Sequence, residues 1–287
     1  MPKIPFDVEF VGRRFAPRVY FHPEEAFLPS NVPWFLKRVR LYHITAKHAR
    51  GVPKPQLILG KGQVKVNNLA HQSRKGDNSW EKRKWGAFYL TIPEDNDAWK
   101  TRAGRLASAS CYCHVQPSKA AGRWWLNYFF FYPFNGSISK ALELTHEGDW
   151  EHIKVEVDKA GSKVYRIYFA AHAGGKWHTP STAAGKGFTS VYKTHPVIYS
   201  ARDSHASYPT AGKQHRAHLP DDWTGKGERL DCWQDKHFQL LGNKSAPPEG
   251  QDWLRYGGFW GHLGAGLPLI PDRGPMGPAY KSWWRDC

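Results

Sequence analysis

Cysteine is scarce in this chain: four residues, at positions 111, 113, 232 and 287, stand in a sequence of 287. So few cysteines cannot cross-link a chain of this length, which excludes the small secreted domains whose folds depend on disulfides. Cys111 and Cys113 precede His114, but a C-x-C-H sequence lacks the second ligand pair of a structural zinc site. We therefore expect a strand with two buried thiols here, the other interpretation being a metal site.

Long hydrophobic runs are absent as well. No stretch approaches the roughly 20 apolar residues of a membrane-spanning helix, so we expect no transmembrane segment. Met1–Arg14 has no uninterrupted apolar segment of the kind that a signal peptide requires. We expect the protein either in the cytoplasm of the producing cell or exported by a route that needs no cleaved signal.

Acidic residues are few relative to basic ones. The sequence has 25 Asp and Glu against 41 Lys and Arg, a formal net charge of +16. A charge of this size attracts polyanions, and the candidate partners are an anionic or glycosylated lipid surface and nucleic acid. The other interpretation is that the charge serves solubility alone.

Extended helical periodicity is also missing, whereas short alternating stretches are common. With 27 glycines and 21 prolines, the sequence predicts an all-β fold, a β-sandwich with long loops and a few short helices. Residues 1–14 are predicted to form an irregular or strand-like arm. No internal repeat or domain boundary is visible, so we expect one β-sandwich domain over residues 1–287.

One stretch concentrates acidic and imidazole groups: Thr145–Asp158, with the sequence THEGDWEHIKVEVD. Its alternation of apolar and polar residues predicts a half-buried strand, with Asp149 and Glu151 on one face. Two carboxylates about 6–7 Å apart on a strand repel each other unless a cation or several donors lie between them. A divalent metal ion is the simplest such cation. The other interpretation is a pair of surface acids in salt bridges with Lys and Arg.

Gly148 directly precedes this acidic pair. A glycine permits a sharp turn before the strand, and such a turn would bring His146 or Glu147 towards Asp149 and Glu151. Mixed imidazole and carboxylate ligation suits Mg²⁺, Mn²⁺, Ca²⁺ or Zn²⁺, of which we rank zinc last. We therefore predict a divalent-metal site at this end of the strand.

Two further histidines are candidates for the catalytic activation of water. His172 stands at the end of a predicted strand with two glycines close by, a placement that suits a loop-borne site. His205 lies in RDSHASYPTAG, residues 202–212, two positions after Asp203. We expect His205 to face the same pocket as the acidic pair, as a base or a ligand. The other interpretation is a polar turn in which this histidine has a structural role.

The acidic stretch resembles the signature of the necrosis- and ethylene-inducing-peptide-like proteins, which are secreted microbial cytolysins. In that family the heptapeptide G-H-R-H-D-W-E follows a strand rich in tyrosine and phenylalanine. Here YFFFYPFN, Tyr128–Asn135, precedes HEGDWE. The resemblance implies a β-sandwich that binds a divalent cation at its membrane-facing end, with His146, Asp149 and Glu151 as ligands.

This sequence departs from that signature at three places. Glu147 stands where the family has arginine, and Gly148 where it has a second histidine. Residues 137–139 occupy the neighbourhood of a further acidic ligand and contain no acid. The resemblance therefore leaves the number of ligands, the metal and the lipid target open.

A second resemblance extends over nearly the whole chain. Four blocks, in the expected order, resemble the vacuolar-protein-sorting-associated protein 62 family. That family brings no generally established biochemical activity. The four blocks are APRVYFHPEEAFLPSNVPWFL at Ala16–Leu36, HEGDWEHI at His146–Ile153, SHASYPTAG at Ser204–Gly212, and GPMGPAYKSWW at Gly274–Trp284.

Three functions follow from these observations. The first is a toxin-like protein whose metal site recognises anionic or glycosylated lipid head groups and perturbs membranes. The second is a metal-dependent phosphodiester hydrolase, in which His205 or His172 would activate water. The third, suggested only by the family name, is a sorting factor. The sequence leaves open whether the protein is an enzyme and what its oligomeric state is.

Overall fold

The computed structural model describes most of the chain. It divides into two compact units, each of which combines separate segments of the sequence. Unit 1 has residues 1–28, 106–130 and 151–241, and unit 2 has the rest of the chain. The described residues are 5–44, 55–69, 87–136, 145–172, 174–180, 191–216, 220–263 and 273–284.

A six-stranded sheet supplies much of unit 1. Its order is β16-β5-β6-β7-β8-β9, antiparallel at the β5–β6, β7–β8 and β8–β9 pairs and parallel at β16–β5. β6 and β7 also contribute residues to unit 2. The strands are β5 (Cys111–Pro117), β6 (Arg123–Asn135), β7 (His146–Asp158), β8 (Val164–Ala171), β9 (Gly174–His178) and β16 (Phe238–Leu240).

A second sheet of unit 1 has the order β10-β11-β1-β15, and β12 pairs with β11. A separate ribbon joins β13 to β14. β7 and β8 form an antiparallel hairpin, and the apolar sequence HPVIYS forms β11. The strands are β1 (Arg18–Tyr20), β10 (Val191–Tyr192), β11 (His195–Ser200), β12 (Ser207–Tyr208), β13 (Gly212–Gln214), β14 (Asp222–Thr224) and β15 (Arg229–Asp231).

The two sheets of unit 1 meet at buried thiols and a tyrosine. Cys111 and Cys113 are fully buried on β5, and the Cys111 thiol hydrogen-bonds with Cys232, the residue after β15. Burial raises the pKa of the Cys111 and Cys113 thiols, which keeps them protonated and unreactive. Tyr128 of β6 is equally buried and donates to the carbonyl of Gly12 at 2.8 Å. The cysteines of the C-x-C-H sequence are therefore core residues of a strand.

Unit 2 combines a three-stranded sheet of order β3-β2-β4 with short helices and an aromatic core. Three 3₁₀ turns also belong to it, at Asp252–Arg255, Pro278–Tyr280 and Ser282–Trp284. The remaining elements are β2 (Arg40–Ile44), β3 (Gln56–Leu59), β4 (Ala87–Thr91), α2 (Val32–Leu36), α3 (Val66–Leu69) and α4 (Ala98–Arg102). Its largest fully buried side chains are Phe35, Tyr132, Trp150, Trp253, Tyr256 and Trp260.

The predicted fold class is confirmed: strands dominate, two sheets pack in unit 1, and the helices are short. The prediction for the arm was wrong, because Val8–Arg14 forms the helix α1. Asp7 caps this helix by accepting from the backbone N–H groups of Glu9 and Phe10 at 2.9 and 3.0 Å. A side-chain acceptor at this position stabilises a short helix that the alternation of the sequence does not indicate. None of the helices in the described part of the chain is long and apolar enough to cross a membrane.

The strand β7 differs in two ways from the prediction. It begins at His146, so Gly148 lies inside the strand rather than in a turn before it. Gly148 has a φ of 65°, and a Cβ there would lie 2.1 Å from the backbone oxygen of Trp260. Glycine is needed at this position for both its conformation and the close backbone approach.

The polar face of β7 is buried as well, so the strand is not half-buried. Glu156 is fully buried and accepts from Arg166 Nε at 2.7 Å and from Arg123 Nη1 at 3.2 Å. Lys154 is also fully buried, with Nζ 4.5 Å from the ring centroid of Trp125. Charged residues can be buried here because partners of opposite charge and aromatic faces on neighbouring strands cover them.

Candidate ligand-binding cleft

The main cavity of interest is an open cleft of about 1040 Å³ in unit 1. One wall is the hairpin of β8 and β9, and the other is formed by β12, β13 and the residues that follow them. Its volume is in the range of small-molecule sites. The cleft is therefore large enough for a sugar or a lipid head group.

The described walls of the cleft include basic and aromatic side chains. Lys176 and Arg216 bring two permanent positive charges, and Tyr208 brings an aromatic ring. Trp177 also belongs to the lining, but its ring packs against Tyr168 and the guanidinium of Arg166. None of the described residues that line the cleft is Asp or Glu. Three histidines, one tyrosine and several hydroxyl or amide groups complete the polar lining: His172, His178, His215, Tyr208, Ser207, Thr179, Thr210 and Gln214.

A buried carboxylate behind the lining holds several of the cleft residues in place. Asp222 of β14 is fully buried, and its Oδ2 lies 2.6 Å from His172 Nε2. The hydroxyl of Tyr208 donates to the same oxygen at 2.6 Å, and Ser204 Oγ donates to Oδ1 at 2.9 Å. Arg216 Nη1 is 3.7 Å from Oδ1. One carboxylate thus holds residues from both walls of the cleft.

The Asp222 network also fixes where its protons lie. Burial acts to raise the pKa of Asp222, but the contacts with His172, Tyr208 and Ser204 outweigh it and leave the pKa lowered. Burial and the neighbouring Asp222 raise the pKa of Tyr208. Asp222 is therefore ionised at neutral pH, and Tyr208 keeps its proton and donates it. His172 Nε2 faces an anionic acceptor, which favours the tautomer with its proton on Nε2.

The loop before β12 adopts a conformation that non-glycine residues rarely have. Asp203 and His205 have φ values of 64° and 57°. The carboxylate of Glu25 supports this loop by accepting from the backbone N–H of Asp203 at 2.9 Å. Burial, followed by the neighbouring Glu25, raises the pKa of Asp203. The loop places Ser204 against Asp222 and so belongs to the support of the cleft.

The residues predicted as catalytic occupy different environments. His172 lines the cleft, and 29% of its side chain is exposed. His205 is fully buried and does not line the cleft, and its Nε2 lies 3.8 Å from Glu25 Oε1. Catalysis by His172 or His205 stays a prediction. Glu151 lies close enough to Tyr208 for its charge to contribute to the raised pKa of that phenol.

Two of the predicted metal ligands belong to unit 2. The ring of His146 is hydrogen-bonded through Nδ1 to the carbonyl of Gly148 at 2.8 Å, and burial lowers its pKa. Asp149 is buried, and its Oδ2 accepts from Asn135 Nδ2 at 3.1 Å. Among the described residues, no group of three or more His, Cys, Asp or Glu side chains is arranged to hold a metal ion. A cation at His146, Asp149 and Glu151 stays a prediction from the motif.

Sequence reasoning missed Asp222, Tyr208 and Lys176. Asp222 lies in DDWTGKGERLDCW, residues 221–233, whose glycines and mixed charges are typical of a solvated loop. Tyr208 lies in the block 202–212, in which only His205 was predicted as a site residue. The K-W-H sequence of β9 could have indicated Lys176, because it places a basic residue and an aromatic residue next to a histidine at a strand end.

The fold and the cleft define a β-sandwich protein with a basic, aromatic-lined cleft. Residues 1–231 match the sequence family described as Vacuolar protein sorting-associated protein 62. The chain belongs to this family, as the four sequence blocks predicted.

Two curated relatives come from Saccharomyces cerevisiae. Vacuolar protein sorting-associated protein 62 is 26% identical over 94% of this chain, and the putative vacuolar protein sorting-associated protein TDA6 is 28% identical over 92%. The matched region spans 65% of the length of each relative. The functions of the full-length relatives are therefore assigned to this chain only as a proposal.

Solved structures of necrosis-inducing proteins are similar to this chain at low levels. Necrosis and Ethylene inducing Protein 2, from the causal agent of cocoa's witches' broom disease, is 15% identical with a TM-score of 0.38. That match covers 73% of this chain and 72% of the other. NLPPya in complex with glucosamine is 13% identical with a TM-score of 0.40, covering 88% and 81%. Both TM-scores are below 0.5, so these likenesses carry no conclusion about this chain.

Proposed function

We propose that the cleft of unit 1 recognises the anionic, hydroxyl-rich head group of a phosphorylated or glycosylated lipid. The observation that carries this proposal is the lining: Lys176 and Arg216 with the ring of Tyr208, and no acidic residue among the described wall positions. Basic side chains attract the charge of such a head group, and an aromatic face packs against a sugar or inositol ring. Binding of this kind places the protein at a membrane surface, which it perturbs as a toxin-like protein.

The Asp222 network supports binding through preorganisation. Tyr208 and His172 are fixed by hydrogen bonds of 2.6 Å to a carboxylate that is itself fully buried. Side chains that are already ordered lose little conformational entropy when a ligand binds. The net charge of +16 adds a long-range attraction to anionic surfaces, and this part of the interaction is weakened by salt.

Charge reversal at Lys176 is expected to weaken binding to anionic vesicles. Each basic side chain near an anionic surface contributes about 1 kcal/mol, so Lys176→Glu should cost about 2 kcal/mol, roughly 30-fold in affinity. Co-sedimentation with vesicles containing a phosphoinositide measures this loss, and release of an entrapped dye from the same vesicles reports perturbation. Lys176 is exposed, so the substitution should leave folding intact.

The matched control is Lys159→Glu. Lys159 is exposed in the turn between β7 and β8, at the opposite end of β8 from the cleft. Lys159→Glu changes the net charge by the same amount as Lys176→Glu. A difference between the two variants therefore reports the position of the charge and not its overall size. Equal losses for both variants would show that the attraction is nonspecific and would refute the cleft as the binding site.

The second candidate is a phosphodiester hydrolase, which the pairing of His172 with Asp222 favours. A histidine held through Nε2 by a carboxylate leaves Nδ1 as an acceptor, and such an imidazole can act as a general base. If the chain is a hydrolase, His172→Gln should lower hydrolysis of RNA or plasmid DNA by at least about 100-fold. The same assay in Mg²⁺, Mn²⁺, Ca²⁺ or EDTA tests the predicted cation. Undetectable cleavage by the unaltered protein under all these conditions would eliminate this candidate.

We also propose that a divalent cation binds at His146, Asp149 and Glu151. The resemblance of the motif is the ground for this part of the proposal. Carboxylate and imidazole ligands are suited to such an ion. Its presence can be measured without any activity, by elemental analysis of the purified protein before and after dialysis against EDTA. A metal content well below one ion per chain after supply of each candidate ion would remove the cation from the proposal.

A further inference from the structure

A second cavity, of about 290 Å³, lies within unit 2, beside the helices α2 and α4. None of its described lining residues also lines the cleft of unit 1. The lining includes three basic side chains, Arg38, Lys100 and Arg105, together with Trp34. Its volume is at the lower end of the range for small-molecule sites.

Arg38 is held in a fixed orientation at this cavity. Its Cζ lies 4.0 Å from the centroid of the Trp34 ring, and its Nη1 donates to the Trp34 carbonyl oxygen at 2.8 Å. A guanidinium has five N–H donors in a planar fork, and this contact uses one side of the fork. Arg38 can therefore present further donors to a ligand without reorganisation.

The positive charges around the cavity exceed the negative ones. Asp97 is its one acidic lining residue among those described, and this carboxylate is shared. Its Oδ2 lies 3.1 Å from Lys61 Nζ, and its Oδ1 lies 3.8 Å from Lys100 Nζ. Burial and the nearby Arg105 both lower the pKa of Arg38, an effect that Asp97 only partly opposes. Two guanidinium groups that line the same small cavity favour an anion within it.

We propose that this cavity is a binding site for a small phosphate monoester. Its phosphoryl oxygens would accept from Arg38 and Arg105, with Lys100 as a third cationic partner. A guanidinium group matches the geometry of phosphate oxygens, and the volume accommodates the phosphate and a small organic group attached to it. The site takes the phosphate either from a free metabolite or from a lipid, because both present the same group.

Calorimetric titration of the intact protein with glucose 6-phosphate, and separately with inorganic phosphate, tests this site. We expect saturable binding of glucose 6-phosphate that Arg105→Gln weakens at least 10-fold. Arg105 is exposed, so this substitution should preserve the fold, and Arg38→Gln should have an effect of similar size. Lys37→Gln is the matched control: it is exposed, removes one positive charge next to Arg38, and lies outside the lining, so it should change affinity less than 2-fold.

The result that overturns the proposal is the absence of saturable binding of either anion, or binding that Arg105→Gln and Arg38→Gln leave within 2-fold of the unaltered protein. Binding to vesicles that contain phosphatidic acid distinguishes the source of the phosphate. If Arg105→Gln weakens binding both to these vesicles and to glucose 6-phosphate, the ligand is a lipid phosphate. If it weakens only the binding of glucose 6-phosphate, the ligand is a free metabolite. Lys176→Glu should leave glucose 6-phosphate binding at this cavity unchanged, which separates this site from the cleft of unit 1.

Discussion

Replacement of Trp150 with alanine is expected to lower the free energy of unfolding by about 3–5 kcal/mol, because it leaves a large cavity in an aromatic core. Trp150 is fully buried in unit 2. Its ring centroid lies 4.9 Å from that of Phe131, 5.5 Å from that of Trp253, and 5.3 Å from that of Trp260. Urea denaturation followed by circular dichroism measures the loss.

The control for this prediction is Trp99→Ala. Trp99 is 62% exposed, so its truncation should change stability by no more than about 0.5 kcal/mol. If Trp150→Ala costs less than about 1 kcal/mol, the aromatic core does not have the structural role that its packing indicates. Trp150 is the tryptophan of the HEGDWE motif. A large loss of stability would assign it to the core and leave the acidic residues of the motif as the candidates for metal binding.

The second large effect is expected at Glu147, as a change of stability with pH. Glu147 is buried in unit 2, and burial raises its pKa from 4.5 to about 7. The backbone N–H of Ile92 donates to Oε2 at 3.0 Å, and Arg102 Nη2 lies 3.9 Å from Oε1. These two contacts stabilise the ionised form and offset only part of the effect of burial.

The direction of the pH dependence follows from the two pKa values. The folded chain holds the Glu147 proton more tightly than the unfolded chain does, so stability falls as pH rises from 4.5 to about 7. The loss amounts to roughly 3 kcal/mol, at about 1.4 kcal/mol for each pH unit of the shift. Glu147→Gln removes the ionisation. The variant should match the original protein near pH 4.5 and be about 2–3 kcal/mol more stable at pH 8.

Urea denaturation at pH 5 and pH 8 provides this comparison. Glu249→Gln serves as the control, since Glu249 is an exposed residue of unit 2 and the substitution should change stability by no more than about 0.5 kcal/mol at either pH. An advantage of Glu147→Gln that is the same at both pH values would contradict a raised pKa for this carboxyl group.

The fold class was predictable because alternation of side chains reports strands directly. The strands at β7, β8 and β11 follow from their apolar spacing, and the buried thiols of β5 follow from the small apolar character of cysteine. The helix α1 was not predictable from spacing, since its stability depends on the cap that Asp7 provides. The position of Gly148 inside β7 depends on the backbone of Trp260, more than 100 residues away in the sequence.

The candidate site was less accessible to sequence reasoning. His172 could be singled out because it stands at a strand end, but its partner Asp222 is 50 residues further along the chain. No local pattern shows that Asp222 is buried while the adjacent Trp223 is 45% exposed. The cleft is formed by non-local pairing of strands, so its lining emerges only when β9 and β12 are placed in space.

The central claim, that the cleft of unit 1 binds an anionic head group, is tested most directly by a titration with inositol trisphosphate observed through the indole N–H signals of the protein. Trp177 is assigned from the signal that disappears in Trp177→Phe. The account predicts a saturable shift of the Trp177 signal that is lost in Lys176→Glu and kept in Lys159→Glu. If the Trp177 signal does not shift at any ligand concentration, whether or not the ligand binds elsewhere, the cleft of unit 1 is not the binding site.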